Sequence, residues 1–253
     1  MPRENKTYPV PPDYTWPLKV ATYQAGRDKR LTLSSQLRLQ QEVGELHLGG
    51  AGLTWEEFLR HNMVFVLTRL NTVIYRAPLM DETISLRTWH RDTKGAQFYR
   101  CYQFLDAQGS VLIDSVTAFA LVDPVEHKLL RPDVFDQFGI KTQQDRLNSC
   151  PDPGKLKPPA QLEPAGSRPI YWSGLDYNGA LNNTNYADIA CDFMPGGMEG
   201  RRIKGLHLAF LKEAVAGDTL DIQTAAAGGE AWVVGSHARG RCFEARLTFE
   251  EED

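Results

Sequence analysis

The stretch Val73-Ile74-Tyr75-Arg76-Ala77-Pro78-Leu79-Met80-Asp81-Glu82-Thr83-Ile84-Ser85-Leu86 decides how this chain folds, because its pattern occurs twice. The second copy is Ala209-Phe210-Leu211-Lys212-Glu213-Ala214-Val215-Ala216-Gly217-Asp218-Thr219-Leu220-Asp221-Ile222, displaced by a constant 209 − 73 = 136 positions. A fixed displacement marks an internal duplication rather than two unrelated domains.

Outward from the first copy, Thr72–Tyr75, Thr83–Trp89, Phe98–Phe104 and Ser115–Val122 read as strands, with Asp106-Ala107-Gln108-Gly109 as a hairpin turn. From the second, 205–213, 219–224, 231–235 and 242–249 repeat the series. Leu31 to Leu39 alternates apolar and polar residues, the period of a half-buried strand. After Gly49-Gly50-Ala51-Gly52, Thr54 and Glu57 form a capping-box pattern ahead of Trp55, Phe58, Leu59 and Val64, which predicts a helix ending in Val66-Leu67-Thr68-Arg69-Leu70. In the second half Asn182 or Asn183 is the expected N-cap. Tyr186, Ile189, Ala190 and Phe193 lie on one helical face, and Pro195-Gly196-Gly197 ends the helix.

Each unit is thus a helix followed by antiparallel strands. The helix must bury its apolar stripe, so the expected class is α+β, a helix wrapped by a curved sheet, in tandem. Prolines 124, 132, 151, 153, 158, 159, 164 and 169 interrupt any period between the halves. The expected division is an N-terminal extension at 1–30, a first repeat at 31–123, a surface connector at 124–169 and a second repeat at 170–253.

The chain has 253 residues, 42% hydrophobic and 24% charged, ordinary for a globular protein with an adequate core. A net charge of −4 argues against a general nucleic-acid binder. No apolar run is long enough to span a membrane, and Met1-Pro2-Arg3-Glu4-Asn5-Lys6 precedes no signal-peptide core, so a cytoplasmic location is expected. Cys101, Cys150, Cys191 and Cys242 are widely spaced, without a Cys-x-x-Cys pair or a histidine at metal spacing. Free thiols and no metal are expected.

Only the second half carries a polar constellation. Asp176, Asn178, Asn182 and Asn183 lie in a loop feeding a helix N-terminus, where free N–H groups would favour developing negative charge. Glu213 falls in an apolar stretch, where partial burial would suit it to general-base work on a water. In the first half the position matching Glu213 is Ala77, and Gly49–Gly52 supplies no carboxylate. The same Asx residues could instead cap turns, and Glu213 could pair with a surface lysine.

Leu175-Asp176-Tyr177-Asn178-Gly179-Ala180-Leu181-Asn182-Asn183-Thr184-Asn185-Tyr186, with Glu213 downstream, resembles the active-site loop of the acyl-carrier-protein thioesterases, in which it reads approximately Leu-Asp-x-Asn-x-His-x-Asn-Asn-x-x-Tyr. Trp55-Glu56-Glu57, Val66–Leu70, Thr88-Trp89 and Asp106 with Gly109 extend the likeness over about Leu31 to Phe249. The resemblance implies two hotdog repeats and hydrolysis of an acyl chain from the phosphopantetheine arm of acyl carrier protein. It implies no separate cofactor. By position, Asp176, Asn178 and Glu213 match the catalytic residues, whereas Ala180 occupies the place of the histidine and Ala214 that of a cysteine in plant members. No plastid-targeting segment is visible, which points to the bacterial branch.

None of His47, His61, His90, His127, His207 and His237 is in the loop. His207, on the strand of Glu213, lies roughly 20 Å away at ~3.3 Å per residue. The chain is therefore expected to be a slow or silent enzyme, with an acyl- or carrier-binding protein as the alternative. A dehydratase, which pairs a histidine with a carboxylate across halves, has less support. Arg201, Arg202 and Lys204 are the first candidates for docking the acidic carrier, and Arg27, Lys29 and Arg30 the second. Val64, Phe65 and Leu67, expected on the first helix, would line the acyl channel or simply be core. Coenzyme A thioesters, and a monomer or a homodimer, remain open.

Overall fold

The computed structural model describes residues 8–250, so Met1–Lys6 and the start of the expected extension lie outside the described residues. The first half contains β1 (Asp13–Lys19), α1 (Leu33–Gly49), α2 (Trp55–Arg60), β2 (Val64–Ile74), β3 (Thr83–Lys94), β4 (Gln97–Leu105) and β5 (Val111–Asp123). After the short β6 (Lys128–Leu129), the second half has β7 (Glu163–Pro169), α3 (Asn185–Asp192), β8 (Ile203–Phe210), β9 (Thr219–Ala227), β10 (Glu230–His237) and β11 (Gly240–Phe249).

These strands make one antiparallel sheet in the order β1-β3-β4-β5-β2-β8-β11-β10-β9-β7, with β6 added to β5. The halves meet where β2 pairs β8, and that register carries the duplication. Asn71 pairs His207, 207 − 71 = 136 positions apart, and Arg69↔Ala209 and Val73↔Gly205 are images of each other about that pair. A pseudo-twofold axis therefore passes through Asn71 and His207, as in a symmetric dimer fused into one chain. One continuous apolar core draws on both halves, including Leu37, Val43 and Phe104 from the first and Tyr186, Ile189 and Phe243 from the second.

Four expectations are corrected. Residues 31–39 are not a strand, because Thr32 caps α1 by accepting from the Ser35 N–H at 3.2 Å. The alternation misleads because Ser34, Ser35 and Gln36 are buried alongside Leu33 and Leu37, so polarity does not report exposure. Thr54 does cap a helix, but that helix has only six residues, and Val64, Phe65 and Leu67 belong to β2. Residues 13–19, expected in an extension, form an edge strand paired with β3. The helix of the second half is preceded by Thr184, whose N–H and hydroxyl both donate to Asn182 Oδ1.

The connector crosses the outer face of the sheet. Trp89 Nε1 donates to Arg146 O, Asn148 Nδ2 to Ser115 O, Asn71 Nδ2 to Pro151 O and Arg69 to Pro153 O, while the His207 ring meets Gly154 O at 3.1 Å. A polar strap thus runs from β3 across the central strands to β8. It buries Trp89 and Cys101 of the sheet against its own Cys150.

Gly235 on β10 faces Phe243 on β11 next to a β-bulge. A Cβ there would lie 2.2 Å from Phe243 Cε1, and that ring is fully buried against Tyr186 at 5.0 Å between centroids. Gly235→Ala is expected to cost about 1–3 kcal/mol through overpacking, read as a lower urea midpoint at unchanged slope.

Candidate functional site

The loop ahead of α3 is a duplicate of the loop ahead of α1, at a displacement of 163 − 13 = 150 rather than 136 positions. The fourteen extra positions sit in the longer helical segment of the first half, so the counterpart of Asp176 is Gly26 and not Gly49–Gly52. Backbone bonds match: Asp176 N–H donates to Ala180 O at 2.8 Å, as Gly26 N–H does to Arg30 O. Gly179 takes φ +82° and Lys29, its counterpart, φ +61°. Asp176 closes its turn with its own side chain, Oδ1 accepting the N–H groups of Asn178 at 2.8 Å and Ala180 at 3.3 Å. One carboxylate oxygen is thereby committed to the turn.

The loop is pinned to the connection between β8 and β9, residues 211–218. Ala180 bridges Val215, and Leu181 N–H donates to Ala214 O at 2.7 Å. By strand alternation Leu181 and Ala214 point to the core, where both are buried, and Ala180, Asn182, Glu213 and Val215 share the opposite face. Glu213 is not in a buried strand: β8 ends at Phe210, and the Glu213 side chain is exposed on the connection from β8 to β9.

His237 and Arg239, which spacing does not single out, brace this connection. The His237 ring donates through Nε2 to Glu213 O at 2.9 Å, and its Nδ1 accepts the Arg239 N–H at 3.2 Å. The Arg239 guanidinium reaches both oxygens of Asp218, at 2.9 and 2.6 Å, and holds that carboxyl below its ordinary range. Both ring nitrogens of His237 are occupied by backbone, so it positions Glu213 and is not a proton acceptor. His207 is likewise tied to the strap, and Arg100 donates to the rings of both His47 and His90. His61 sits at the end of α2 and His127 in the turn between β5 and β6, so none of the six histidines lies in the loop of Asp176 and Ala180.

The N–H groups of Asn182, Thr184 and Asn185 are taken by Gly174 O, Asn182 Oδ1 and Asn182 O. The helix start therefore offers fewer free donors to an oxyanion than its sequence suggests. Asn178 is exposed and Asn183 half-buried.

The loop sits at the seam between halves. Tyr177 meets Trp55 edge-on at 5.2 Å, and on the pseudo-symmetric side Arg27 pairs Glu199 at 3.0 Å. That pair brings the two basic groups, Arg27–Arg30 and Arg201–Lys204, to one side. Arg202 and Lys204 share Glu250, at 3.6 and 3.2 Å, while Arg201 lies over the Phe249 ring. Tyr171 and Trp172, 71% and 84% exposed, add an apolar rim.

Phe65 belongs to an aromatic cluster with Phe58, Phe98 and Phe135, and Leu67 packs on the main core. A cavity of about 270 Å³ lies against His90, Phe98 and Phe135, and a more open one of about 550 Å³ against Tyr75, Asp114 and Asn148; neither touches the loop. Among the described residues no group of His, Cys, Asp and Glu could hold a metal, and no helix is long and apolar enough to cross a membrane.

The family description "Acyl-ACP thioesterase N-terminal domain" matches residues 12–137, and "Acyl-ACP thioesterase C-terminal domain" matches residues 166–242. Among curated relatives, the palmitoyl-acyl carrier protein thioesterase of Arabidopsis thaliana is 23% identical over 83% of this chain and 54% of its own length. The oleoyl-acyl carrier protein thioesterase 1 of the same plant is 22% identical over 81% and 61%. The chain thus spans little more than half the length of these relatives. An acyl-ACP thioesterase from Bacteroides thetaiotaomicron superposes with a TM-score of 0.78 at 18% identity, covering 94% of this chain and 98% of that one. The 12:0-ACP thioesterase from Umbellularia californica gives 0.77 at 17%, covering 95% and 98%. The architecture is a tandem hotdog.

Proposed function

The chain belongs to the acyl-ACP thioesterase family, and we propose that it hydrolyses acyl-acyl carrier protein to free fatty acid, slowly, at the loop ahead of α3 and the β8–β9 connection of its second half. The observation that carries this reading is the pairing of Ala180 with Val215, which gathers position 180, Asn182 and Glu213 on one face; the first half has the matching bridge of Arg30 with Leu79, but Thr32 and Ala77 stand where the second half has Asn182 and Glu213. Water attacks the thioester carbonyl while Glu213 takes its proton. The C–S bond then breaks, and the phosphopantetheine thiolate leaves and recovers the proton. Asp176 fixes the loop, and Asn178 and Asn183 are within the same segment to orient the substrate carbonyl. No cofactor is consumed, since phosphopantetheine arrives as part of the substrate. The acyl chain extends toward the first half, whose α2 touches the loop through Trp55. Because β2 and β8 already pair the halves, one chain suffices as the working unit.

Arg201 is the docking residue best suited to an acidic carrier, since Glu250 offsets Arg202 and Lys204. Arg201→Glu is expected to raise the apparent KM for acyl-ACP several-fold at low salt and little at high salt, as screening removes the attraction. Hydrolysis of coenzyme A thioesters should not change. Equal or faster turnover of coenzyme A substrates by the unaltered protein would reject the carrier as partner. A second reading, a non-catalytic acyl-carrier binder, is favoured by Ala180 itself; it predicts tight binding of acyl-ACP with no product at any enzyme concentration.

A further inference from the structure

One buried carboxylate of the first half lacks the cation that its duplicate has. Asp114 on β5 is 2% exposed. Its Oδ1 accepts from Gln103 Nε2 at 3.0 Å, and its Oδ2 accepts from the Ser149 N–H at 3.0 Å and from the Tyr75 hydroxyl at 3.4 Å. All three donors are neutral, and no arginine, lysine or histidine of the described residues forms an ion pair with it. Arg76, beside Tyr75, is taken by Glu82 at 2.8 and 2.5 Å. A carboxylate has about four acceptor positions, and a buried charge is ordinarily paired. One position and the whole countercharge are left over.

The second half shows what belongs there. The sheet registers carry Asp114 onto Glu244, because the pairs Val73↔Asp114 and Gln103↔Asp114 answer to Ala209↔Glu244 and Val234↔Glu244. The displacement is 244 − 114 = 130 positions, and it takes Val111 to Arg241. Glu244 is buried as well, at 7% exposed, and Arg241 Nη1 donates to its Oε1 at 2.6 Å. The first half thus keeps the acid and carries a valine in place of the guanidinium.

There is space where that guanidinium would lie. The more open cavity, about 550 Å³, is lined by Val111, Asp114, Tyr75 and Gln103 and by Leu147 and Ser149 of the strap. Asp114 supplies the charge, and the part-exposed Tyr75 and Leu147 supply apolar walls. A planar cation can meet the carboxylate and lie against the Tyr75 ring. An anion would be repelled, and an apolar occupant would leave the acid unpaired.

We propose that this groove binds a small guanidinium compound, held by Asp114 as Glu244 holds Arg241. The site is separate from the Asp176 loop, and its binding does not depend on the hydrolase reading. A primary ammonium, a point charge without the planar fork, should bind more weakly.

The test titrates the isotope-labelled protein with methylguanidinium chloride and follows the Ser149 amide and the Gln103 side-chain amide by NMR. Saturable binding is expected with a dissociation constant of about 1 mM or below. N-methylurea, a planar neutral analogue, should bind about tenfold more weakly or not at all. Asp114→Asn should abolish binding. Val111→Arg, which installs the residue of the second half, should abolish it too by filling the groove from within, and should raise the urea midpoint. Equal binding of methylurea, binding that persists in both variants, or no binding to the unaltered protein overturns the proposal. L-arginine and its N-acetyl methylamide separate the two sources of a guanidinium. Preference for L-arginine supports a free compound, whereas preference for the blocked form assigns the groove to an arginine side chain of another protein and overturns the small-molecule assignment. If Asp114→Asn does not fold, Val111→Arg decides, since position 111 is only half-buried. If neither folds, the preference of the unaltered protein for methylguanidinium over methylurea decides.

Discussion

Ala180→His is expected to raise the rate of acyl-ACP hydrolysis by about 10² to 10⁴, the usual worth of one acid–base group. Position 180 lies beside the β8–β9 connection that presents Glu213, its N–H is held by Asp176 Oδ1, and its side chain shares a face with Glu213 and Asn182. A histidine there would meet a carboxylate able to orient its ring, and none of the six native histidines lies in the loop to compete with it. The gain should appear in kcat rather than KM, since the ring would act on the water and not on the acyl chain. Glu213→Gln in that background should abolish most of the gain, and Glu213→Gln alone should give no more than the low basal rate. A rate that does not move on Ala180→His would mean that the loop works without histidine, or that it does not hydrolyse. Glu213→Gln alone separates these: loss of a substantial basal rate supports the first, and no rate in any protein supports the second.

Acidification should unfold this protein well before its carboxylates titrate. His47 and His207 are buried, 1% and 7% exposed, and burial is the main cause that lowers each from an ordinary 6.5 to about 4; Arg100 and Arg246 add to it. Between those values the unfolded chain binds a proton that the folded chain refuses. Stability is therefore complete above about pH 6.5 and falls as the pH drops toward 4. At about pH 5 each histidine is expected to have removed about 2 kcal/mol, or about 4 kcal/mol for the pair. His90, lowered in the same direction by burial and by Arg100, adds to the loss. That is a large share of the 5–15 kcal/mol typical of a folded domain. The urea midpoint should decline steeply from about pH 7 to about pH 5, and His207→Gln should flatten part of the slope. A midpoint constant over that interval would show that these rings charge freely in the folded state.

The strand content and the duplication were legible because both leave local traces: alternation along β3, β9 and β11, and an offset that survives wherever the halves keep equal length. The central helix was not, since α1 buries Ser34, Gln36, Gln40 and His47 against polar partners and so imitates an exposed face. The loop could be found from Asp176, Asn178 and Glu213, and the structure brings position 180 to the β8–β9 connection that carries Glu213. What the sequence could not supply was the exposure of Glu213, which depends on where β8 stops, and the brace of His237 and Arg239. Those two come from a turn more than twenty positions away and approach that connection only after β11 has paired with β8.

The outermost strands of the sheet have a further consequence. A sheet of this length presents two open edges, each a template on which another copy could add by backbone hydrogen bonding and grow into a fibre. Here those edges are β1 and β7. β1 carries Pro17 and Lys19, and β7 carries Pro164 and Pro169 around Gly166, with every residue exposed. Proline withholds the donor that an added strand would need, and the glycine breaks the register of β7 with β9. The same edges that end the sheet thus protect concentrated protein from ordered aggregation, without a covering helix or a second subunit.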